Sequence, residues 1–334
     1  MKVAVTGAAG FVGTNLLDRL VEQGHEVIAI DRVRPAHAIQ SDLVTWKSAD
    51  VLDPESLRDA FEGAEIVYHL VAMITLAQNN DLAWRINTTG VGNVAEAALA
   101  AGVRRLVHCS SIHSFDQYAA GGFIDETSSR STDPKIPVYD RSKWFGEVEL
   151  RKVIDKGLDA VICNPTGVYG PVDHGPSRIN GLLRDAARGR VPAMIQGGFD
   201  LVDVRDVAIG LTLAAEHGRT GENYLLGGEM VTIYQAMRAA ARRTGRRGPV
   251  VTLPLSFFGA VVPILEPIGA KFGSDVLSRA SLGAILHSPV VDRTKAGKEL
   301  GYSPRSSEQS IADLVDFYSG AGELSKPRLA SAVR

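Results

Sequence analysis

The chain has 334 residues, of which 45% are hydrophobic and 22% charged, and its formal net charge is −2 at pH 7. This length can bury a sizeable core, and the balanced charge argues against a general affinity for nucleic acids or anionic membranes. Cys109 and Cys163 each lie in an apolar run, which predicts reduced core thiols rather than a disulfide. The first predicted strand begins at the N-terminus without a signal peptide, so we expect a cytoplasmic protein.

The opening of the chain predicts a strand, a tight turn and a helix. The apolar residues 3–6 lead into three regularly spaced glycines, and apolar residues at helical spacing follow. Such glycines allow a tight turn, let a pyrophosphate approach the backbone and let helix and strand pack closely, while the helix N-terminus offers amides to phosphates. The alternative is a glycine-rich turn without a ligand. The predicted dinucleotide site consists of Gly7, Gly10, Phe11, Val12 and Gly13.

Asp31 follows the second apolar run, where an acidic side chain can accept hydrogen bonds from the adenosine ribose hydroxyls. A carboxylate there repels a 2′-phosphate, so Asp31 favours NAD over NADP. Arg32 and Arg34 leave NADP possible, because either guanidinium can bind such a phosphate. We therefore expect NAD as the cofactor, with NADP as the alternative.

Strand and helix patterns alternate through the first half of the chain. The helical patterns include a long run from Leu82 to Ala101. This alternation favours right-handed crossovers and predicts an α/β fold with a Rossmann-type doubly wound parallel sheet. The predicted strands are Val3–Thr6, Val27–Ile30, Val44–Lys47, Ile66–Leu70, Leu106–Ser110 and Ala160–Asn164.

The pattern loosens after Pro165, where glycine and proline are frequent and short helices appear at 207–217 and 234–244. We predict a dinucleotide-binding domain at 1–165, a smaller C-terminal substrate-binding lobe mainly at 166–322 with parts returning to the first domain, and a loose tail at 323–334.

The longest apolar stretch, Leu253–Leu265, is broken by prolines and is too short to cross a membrane. We expect it to form a helical wall of the core or of the substrate pocket. The alternative is a surface that makes peripheral contact with lipid or admits an apolar substrate.

Tyr139 and Lys143 are four residues apart in a predicted helix, so their side chains lie on one face. A nearby ammonium group favours phenolate and should lower the tyrosine pKa, which suits a general acid or base. Lysine can also hold a cofactor hydroxyl. The pair therefore predicts proton transfer during hydride chemistry.

Three motifs together resemble the extended short-chain dehydrogenase/reductase superfamily in its NAD-dependent epimerase/dehydratase division. Segments 202–208, 221–228 and 299–302 further resemble the dihydroflavonol-4-reductase-like bacterial branch, which includes relatives of 3β-hydroxysteroid dehydrogenases. The resemblance implies NAD chemistry. The motifs are Thr6-Gly7-x-x-Gly10-x-x-Gly13, Tyr139-x-x-x-Lys143 and the run Asn164–Pro171.

The resemblance also implies roles for individual residues. Ser111, with Ser110 as the alternative, would polarise the substrate oxygen beside Tyr139 and Lys143, and Asn87 would support the lysine or the cofactor. His113 and Arg178 are candidate substrate contacts. The further cofactor contacts implied are Asp50 and Val51 at the adenine, Ala72 below the pyrophosphate and ribose, and Pro165 and Val168 at the nicotinamide ring.

We predict an NAD(P)-dependent oxidoreductase that interconverts a secondary alcohol and a ketone of a small molecule. The alternative is a nucleotide-sugar epimerase with tightly bound NAD, although Asn164 replaces an arginine common in such enzymes. A non-catalytic redox sensor is disfavoured because Tyr139 and Lys143 are present. No metal site and no nucleic-acid partner are expected, since metal-ligand spacing is missing and no aromatics interleave the arginines at 242–247. By analogy, a homodimer would form through helices 82–101 and 139–155.

Overall fold

The computed structural model describes residues 1–175, 177–253 and 288–324. Their contacts divide them into two compact units. The first unit comprises residues 1–167, 204–227 and 288–304, and the second comprises 168–175, 177–203, 228–253 and 305–324. The first unit thus includes two segments from beyond residue 165.

A seven-stranded parallel sheet forms the centre of the first unit, which confirms the predicted fold class. The strands in chain order are β1 Lys2–Thr6, β2 Glu26–Asp31, β3 Val44–Ser48, β4 Ile66–His69, β5 Arg105–Cys109, β6 Phe123–Ile124, β7 Ala160–Pro165, β8 Gly167–Tyr169, β9 Ala193–Ile195, β10 Gly198–Asp203, β11 Asn223–Leu226, β12 Glu229–Thr232, β13 Val251–Leu253 and β14 Val290–Val291. The sheet has the order β11-β7-β5-β4-β1-β2-β3. Its edge strand β11 comes from one of the returning segments, and a short parallel pair joins β6 to β14.

Helices connect these strands. They are α1 Phe11–Glu22, α2 Pro54–Leu57, α3 Asp81–Asn87, α4 Thr89–Ala100, α5 Val138–Ile154, α6 Arg178–Ala187, α7 Val204–His217, α8 Ile233–Arg243 and α9 Ser307–Gly320. A 3₁₀ turn spans Ile112–Ser114, and a π-helical turn spans Ala296–Leu300.

The prediction of one helix over 82–101 is wrong, because the helix is interrupted at Thr88, between α3 and α4. Thr88 has φ −117° and ψ −74°, and its hydroxyl donates to the Trp84 carbonyl at 2.8 Å. Such bonds to the preceding turn compete with regular helix geometry. Gly146 of α5 lies against the last residue of α3: a Cβ on Gly146 would be 2.2 Å from the Asn87 carbonyl oxygen. The break lets two helix backbones approach at this point.

The core of the first unit includes one face of the sheet together with α4 and α5. Alternate strand positions place Val67, Leu106 and Ile162 in this core with Val94 and Leu150. The next position on the same face carries a buried polar side chain at the carboxyl end of each strand, namely His69, His108 and Asn164. Cys109 and Cys163 are buried and free, as predicted.

The second unit has its own core, formed by α6, α8, α9 and the antiparallel pair β10–β12, which β8 extends to three strands. In the same unit β9 and β13 pair in parallel. Of the apolar stretch Leu253–Leu265, all but Leu253 lie outside the described residues. No helix in the described ranges is long and apolar enough to cross a membrane.

The predicted loose tail begins too early, because Glu323 is anchored in the second unit. Its carboxylate accepts a hydrogen bond from Arg184 at 3.0 Å, and its carbonyl accepts one from Arg188 at 2.6 Å. These contacts involve charged groups that no apolar periodicity reveals. Residues 325–334 lie outside the described residues.

Candidate active site

The glycine turn packs backbone against backbone. Gly7 has φ +73°, a conformation that favours glycine. A Cβ on Gly13 would lie 2.2 Å from the Gly7 carbonyl oxygen, and a Cβ on Gly7 would lie 3.0 Å from the Val71 nitrogen. Gly10 caps α1 without a side-chain hydrogen bond, so the amides at Phe11 and Val12 begin the helix with no side chain above them. This arrangement fits a pyrophosphate, which binds to backbone amides at a helix N-terminus.

Asp31 is fixed at the edge of this turn. Its carboxylate accepts hydrogen bonds from the Ala9 amide at 3.0 Å and from the Arg32 amide at 2.8 Å. Arg32 and Arg34 are exposed. A cavity of ≈ 260 Å³ beside the carboxylate is lined by Asp31, Arg34, Trp46, Lys47 and Ser48. An anion and two cations therefore border the position predicted for the adenosine ribose.

The other predicted cofactor residues of the first unit lie at the carboxyl ends of strands, where open α/β sheets bind ligands. Asp50 accepts a hydrogen bond from the Leu52 amide at 2.9 Å, and Val51 is buried against α4. Ala72 is exposed beyond β4, and Pro165 is the buried last residue of β7.

Ser111 and Tyr139 meet beyond the end of β5. Ser111 caps the 3₁₀ turn, accepting a hydrogen bond from the His113 amide at 3.3 Å. Tyr139 is the second residue of α5, and the Ser111 side chain lies close enough to its hydroxyl to lower the phenol pKa in part. Both residues are buried, at 6% and 9% exposure. The structure thus brings together two hydroxyl groups that can hold one substrate oxygen.

Lys143 lies one turn beyond Tyr139 on the same face of α5. It is 2% exposed, and its Nζ donates to the Cys109 carbonyl at 3.1 Å. This bond fixes the ammonium at the carboxyl end of β5, close to the residues that follow the strand.

The predicted acidity of Tyr139 requires a correction. Burial raises the pKa of the Tyr139 phenol above its ordinary value, and the Ser111 side chain offsets only part of this rise. Burial also lowers the pKa of Lys143, against the influence of Cys109 and Glu147. Removing a phenol from water disfavours phenolate, and here that effect outweighs the predicted influence of the lysine. The raised pKa keeps the Tyr139 phenol neutral at neutral pH.

Asn87 contacts neither the Lys143 ammonium nor the Tyr139 hydroxyl in the hydrogen bonds found among the described residues. Its amide nitrogen donates to the Met73 carbonyl at 3.0 Å and to the Ser142 hydroxyl at 2.9 Å, and its oxygen accepts from the Met73 amide at 2.8 Å. Asn87 therefore ties the loop after β4 to α5 beside Lys143.

His113 pairs with Asp140, the residue after Tyr139, which the sequence did not single out. The Nδ1 of His113 lies 2.8 Å from Asp140 Oδ1. The His113 and Tyr139 rings are 5.3 Å apart, edge to face. About a third of the His113 side chain is exposed, whereas Asp140 is almost fully buried. The only sequence signal for the His113–Asp140 pair is that an acidic residue, Asp140, directly follows Tyr139.

A second polar group, which we call the Glu147 cluster, consists of Ser110, Arg130, Glu147, Asn164 and Asn223. Glu147 is fully buried, and its carboxylate accepts hydrogen bonds from Ser110 at 2.6 Å, Asn164 at 2.8 Å and Asn223 at 2.9 Å. Arg130 approaches it at 3.5 Å. The sequence did not predict this cluster. The one feature that could have indicated it is the position of Glu147, four residues after Lys143 and therefore on the same helix face.

Val168 and Arg178 belong to the second unit. Val168 is half-buried in β8, and Arg178 is the exposed first residue of α6. The two residues are thus placed in a different unit from Ser111, Tyr139 and Lys143.

Residues 3–227 match the NAD-dependent epimerase/dehydratase family, which covers more than half of the chain. The chain belongs to this family. It therefore has the Rossmann-like architecture and the motifs of extended short-chain dehydrogenase/reductases, as the sequence predicted.

Individual relatives are similar along almost the whole chain. A Synechocystis sp. protein provisionally named dihydroflavonol 4-reductase is 32% identical, covering 95% of this chain and 94% of its own. Sterol demethylase protein B of Methylococcus capsulatus is 31% identical, covering 96% and 99%. The UDP-glucose 4-epimerase of Mycolicibacterium smegmatis is 30% identical, covering 95% and 98%. The crystal structure of gox2253 superimposes with a TM-score of 0.83 at 32% identity, covering 97% and 99%.

Proposed function

We propose that this protein is an NAD-dependent oxidoreductase that interconverts a secondary alcohol and a ketone on an apolar small molecule. The carrying observation is that the Ser111 and Tyr139 side chains lie together, with Lys143 one helical turn away, in the same unit as the glycine turn. This combination supports proton transfer coupled to hydride transfer.

Each side chain has a defined task in this proposal. When bound, NAD supplies a hydride acceptor and NADH a hydride donor. Ser111 and Tyr139 donate hydrogen bonds to the substrate oxygen, and the Tyr139 hydroxyl gives it a proton during reduction. The raised pKa of Tyr139 keeps this proton in place at neutral pH. The positive charge of Lys143 stabilises the phenolate that remains.

The glycine turn and Asp31 support NAD as the cofactor. The carboxylate already accepts two backbone amides and keeps lone pairs for ribose hydroxyls. We expect tighter binding of NAD than of NADP, measured by equilibrium titration of both. Asp31→Asn should reduce the difference between the affinities for NAD and NADP. Equal affinity in the unchanged protein would mean that Arg34 and Lys47 determine the choice.

The surroundings of Asn164 support an apolar substrate over a nucleotide sugar. Its amide nitrogen is engaged with the Ser111 carbonyl at 3.0 Å, the Ser114 hydroxyl at 3.0 Å and Glu147 at 2.8 Å. Asn164 is fully buried, so it has no group left for a diphosphate. The names of the Synechocystis and Methylococcus relatives refer to a dihydroflavonol and to sterols, which are ring compounds and not nucleotide sugars.

The direct test is hydride transfer with an apolar pair of substrates. NADH with 5α-androstan-3-one, and NAD with the corresponding 3-alcohol, should give a change in NADH absorbance that Tyr139→Phe abolishes. The second candidate is a nucleotide-sugar epimerase, favoured by the similarity to the UDP-glucose 4-epimerase. Purified protein that retains NAD and interconverts UDP-glucose and UDP-galactose would replace the first function with the second.

Three broader proposals accompany this function. The free, buried thiols support a reducing compartment such as the cytoplasm. The second unit would contribute substrate contacts, including Arg178. A homodimer would form through α4 and α5, which border a groove containing Trp84 and Phe145. Sedimentation of Phe145→Glu, compared with the unchanged protein, tests the dimer.

A further inference from the structure

A run of arginines in the second unit takes no part in the proposed hydride transfer. Residues 230–252 contain five arginines and no acidic residue, whereas the whole chain has a formal net charge of −2. Positive charge is therefore concentrated in one short segment of a chain that is slightly negative overall. The five residues are Arg238, Arg242, Arg243, Arg246 and Arg247.

The helix α8 holds two of these arginines on its exposed side. Met237 and Ala240 are buried, whereas Arg238 and Arg242, one turn apart, are exposed on the opposite face. The Arg238 guanidinium donates to the Tyr234 hydroxyl at 2.7 Å, and the Arg242 Nε donates to the Arg238 carbonyl at 3.4 Å. These bonds hold both guanidinium groups along the surface of the helix.

The segment that follows α8 lies against the helix and adds exposed apolar side chains. A Cβ on Gly248 would lie 3.1 Å from the Cα of Arg238, and the Val250 amide donates to the Pro192 carbonyl at 3.0 Å. Val250 is 70% exposed and Val251 is 50% exposed. Two largely uncovered valines therefore lie beside the arginines.

Acidic side chains neutralise only part of the positive charge. Asp316 of α9 pairs with Arg243 at 2.6 Å. Arg242 and Arg247 are exposed, and neither forms an ion pair in the part of the chain that the structure describes. Their guanidinium groups are thus available to an external anion.

Guanidinium groups beside exposed apolar side chains fit the surface of an anionic bilayer. Arginine binds phosphate oxygens with two hydrogen bonds, and an anionic leaflet attracts basic residues that come within about 10 Å of it. Apolar side chains leave water at the boundary between headgroups and acyl chains. A single-stranded nucleic acid also offers phosphates, but its bases stack on aromatic side chains, and Tyr234 is the only aromatic residue in 230–252. The exposed valines therefore favour the bilayer.

We propose that this part of the second unit docks the protein on an anionic phospholipid bilayer. Lipid phosphates contact the guanidinium groups, and the two valines enter the boundary with the acyl chains. The docking does not depend on the function proposed above, although it would serve that function, because an apolar substrate is concentrated in a bilayer. We call this region the arginine surface, and it consists of Arg238, Arg242, Arg247, Val250 and Val251.

The test is flotation of the full chain with lipid vesicles over a range of lipid concentrations. Vesicles of phosphatidylcholine are compared with vesicles in which about 30% of the lipid is phosphatidylglycerol, at ionic strengths from about 0.05 M to about 0.5 M. The variants are Arg242→Glu combined with Arg247→Glu, and Val250→Ser. The matched control combines Arg104→Glu with Lys135→Glu, which reverses two exposed cations of the first unit. Thermal unfolding checks that every variant is folded, and titration with a labelled single-stranded oligonucleotide tests the other class of partner.

We expect binding to the anionic vesicles alone, and this binding should weaken as ionic strength rises. Each basic residue beside an anionic leaflet strengthens binding about fivefold, so reversing both arginines should weaken the apparent lipid affinity by ~30-fold or more. The control variant should match the unchanged protein. Val250→Ser should weaken binding several-fold without changing its dependence on salt.

Three results would overturn the proposal: equal binding to neutral vesicles, no loss of binding in the arginine variant, or the same loss in the control variant. Tighter binding to the oligonucleotide than to anionic vesicles, lost in the same arginine variant, would assign the arginine surface to nucleic acid instead. None of these measurements uses NAD or a substrate, so their outcome is independent of the proposed hydride transfer.

Discussion

Two polar regions share α5 and the end of β5, yet they differ in what their atoms contact. Tyr139 and Lys143 face Ser111 and His113, and part of this region, which we call the reaction cluster, is exposed to solvent. Glu147, four residues further along the same helix face, is fully buried, and its carboxylate accepts hydrogen bonds from Ser110, Asn164 and Asn223. The two adjacent serines belong to different regions: Ser110 donates a hydrogen bond to Glu147, whereas the Ser111 side chain lies beside the Tyr139 hydroxyl.

This contrast distinguishes residues that we expect to affect turnover from residues that we expect to affect stability. Changing the reaction cluster should alter turnover with little effect on folding, because in the proposed function its groups act on the substrate and the cofactor. Changing the Glu147 cluster should alter folding first, because it would leave buried polar atoms without partners. One helix face thus carries both roles at successive turns.

Tyr139→Phe should give the largest effect. The change removes the transferable proton and keeps the ring, so turnover should fall by ~10² to 10⁴. The midpoint of thermal unfolding should stay close to that of the unchanged protein, and NAD titration should be nearly unaffected. Steady-state kinetics with an identified ketone provide the measurement. Full activity of the phenylalanine variant would show that the proton comes from another group.

Glu147→Leu should give the largest loss of stability. The change removes a buried acceptor that Ser110, Asn164 and Asn223 share and deprives the half-buried Arg130 of its charge partner. Breaking a buried charged network in this way costs about 3 kcal/mol or more. Denaturant unfolding measures the loss.

Glu149→Gln is the matched control, because Glu149 lies on the same helix but pairs with Lys152 in a solvent-exposed position. Its effect on the free energy of unfolding should stay within about 0.5 kcal/mol. If the two variants were equally stable, the Glu147 cluster would have no supporting role.

The two serines provide the closest comparison, since they are neighbours in sequence. Ser110→Ala removes a 2.6 Å hydrogen bond to a buried carboxylate and should lower the free energy of unfolding by about 2 kcal/mol. Ser111→Ala should instead reduce turnover by ~10², since one donor to the substrate oxygen is lost. Measuring both properties for both variants tests the assignment. A reversed result would make Ser110 the catalytic serine.

The sequence predicts those parts of the site that depend on local spacing. Gly7, Gly10 and Gly13 define a turn within one segment, and Tyr139 with Lys143 define one helix face. The Glu147 cluster could not be predicted in this way, because Arg130, Asn164 and Asn223 come from distant parts of the chain and meet only when β7 and β11 pair. The same limit explains the edge strand β11, whose place depends on a returning segment.

The remaining differences between the predicted and the observed site arise from burial and tertiary contacts, which the spacing of residues does not show. The four-residue spacing predicted that Lys143 would lower the pKa of Tyr139. Spacing carries no information on burial, and burial has the largest effect on the pKa of this tyrosine. Asn87 was expected near the lysine, and its amide instead satisfies the backbone of Met73. The helix break at Thr88 likewise coincides with a close tertiary contact between α3 and α5, which local propensity cannot reveal.

The last prediction concerns acid, and it extends the comparison to a pair of histidines next to the reaction cluster. His69 and His108 stack at 5.3 Å on adjacent strands. Thr6 lies 2.7 Å from His69 Nδ1, while His69 Nε2 and both His108 nitrogens have no partner among the described residues. Burial lowers the pKa of His69 to about 3 and that of His108 well below its ordinary value, and Lys143 adds to both shifts.

Both histidines are therefore neutral in the folded protein over a range in which they are protonated in the unfolded chain. Because the unfolded chain binds more protons, stability is complete above the unfolded pKa of about 6.5 and falls as pH drops toward about 3, by up to ~1.4 kcal/mol per pH unit for each histidine. His108→Leu, which removes one titrating ring at similar volume, should make this decline less steep, as measured by denaturant unfolding from pH 8 to pH 4. Variants of the Glu147 cluster should not reproduce the change, because the cluster contains no histidine. If the free energy of unfolding of His108→Leu declined as steeply with falling pH as that of the unchanged protein, groups other than this histidine would cause the acid sensitivity.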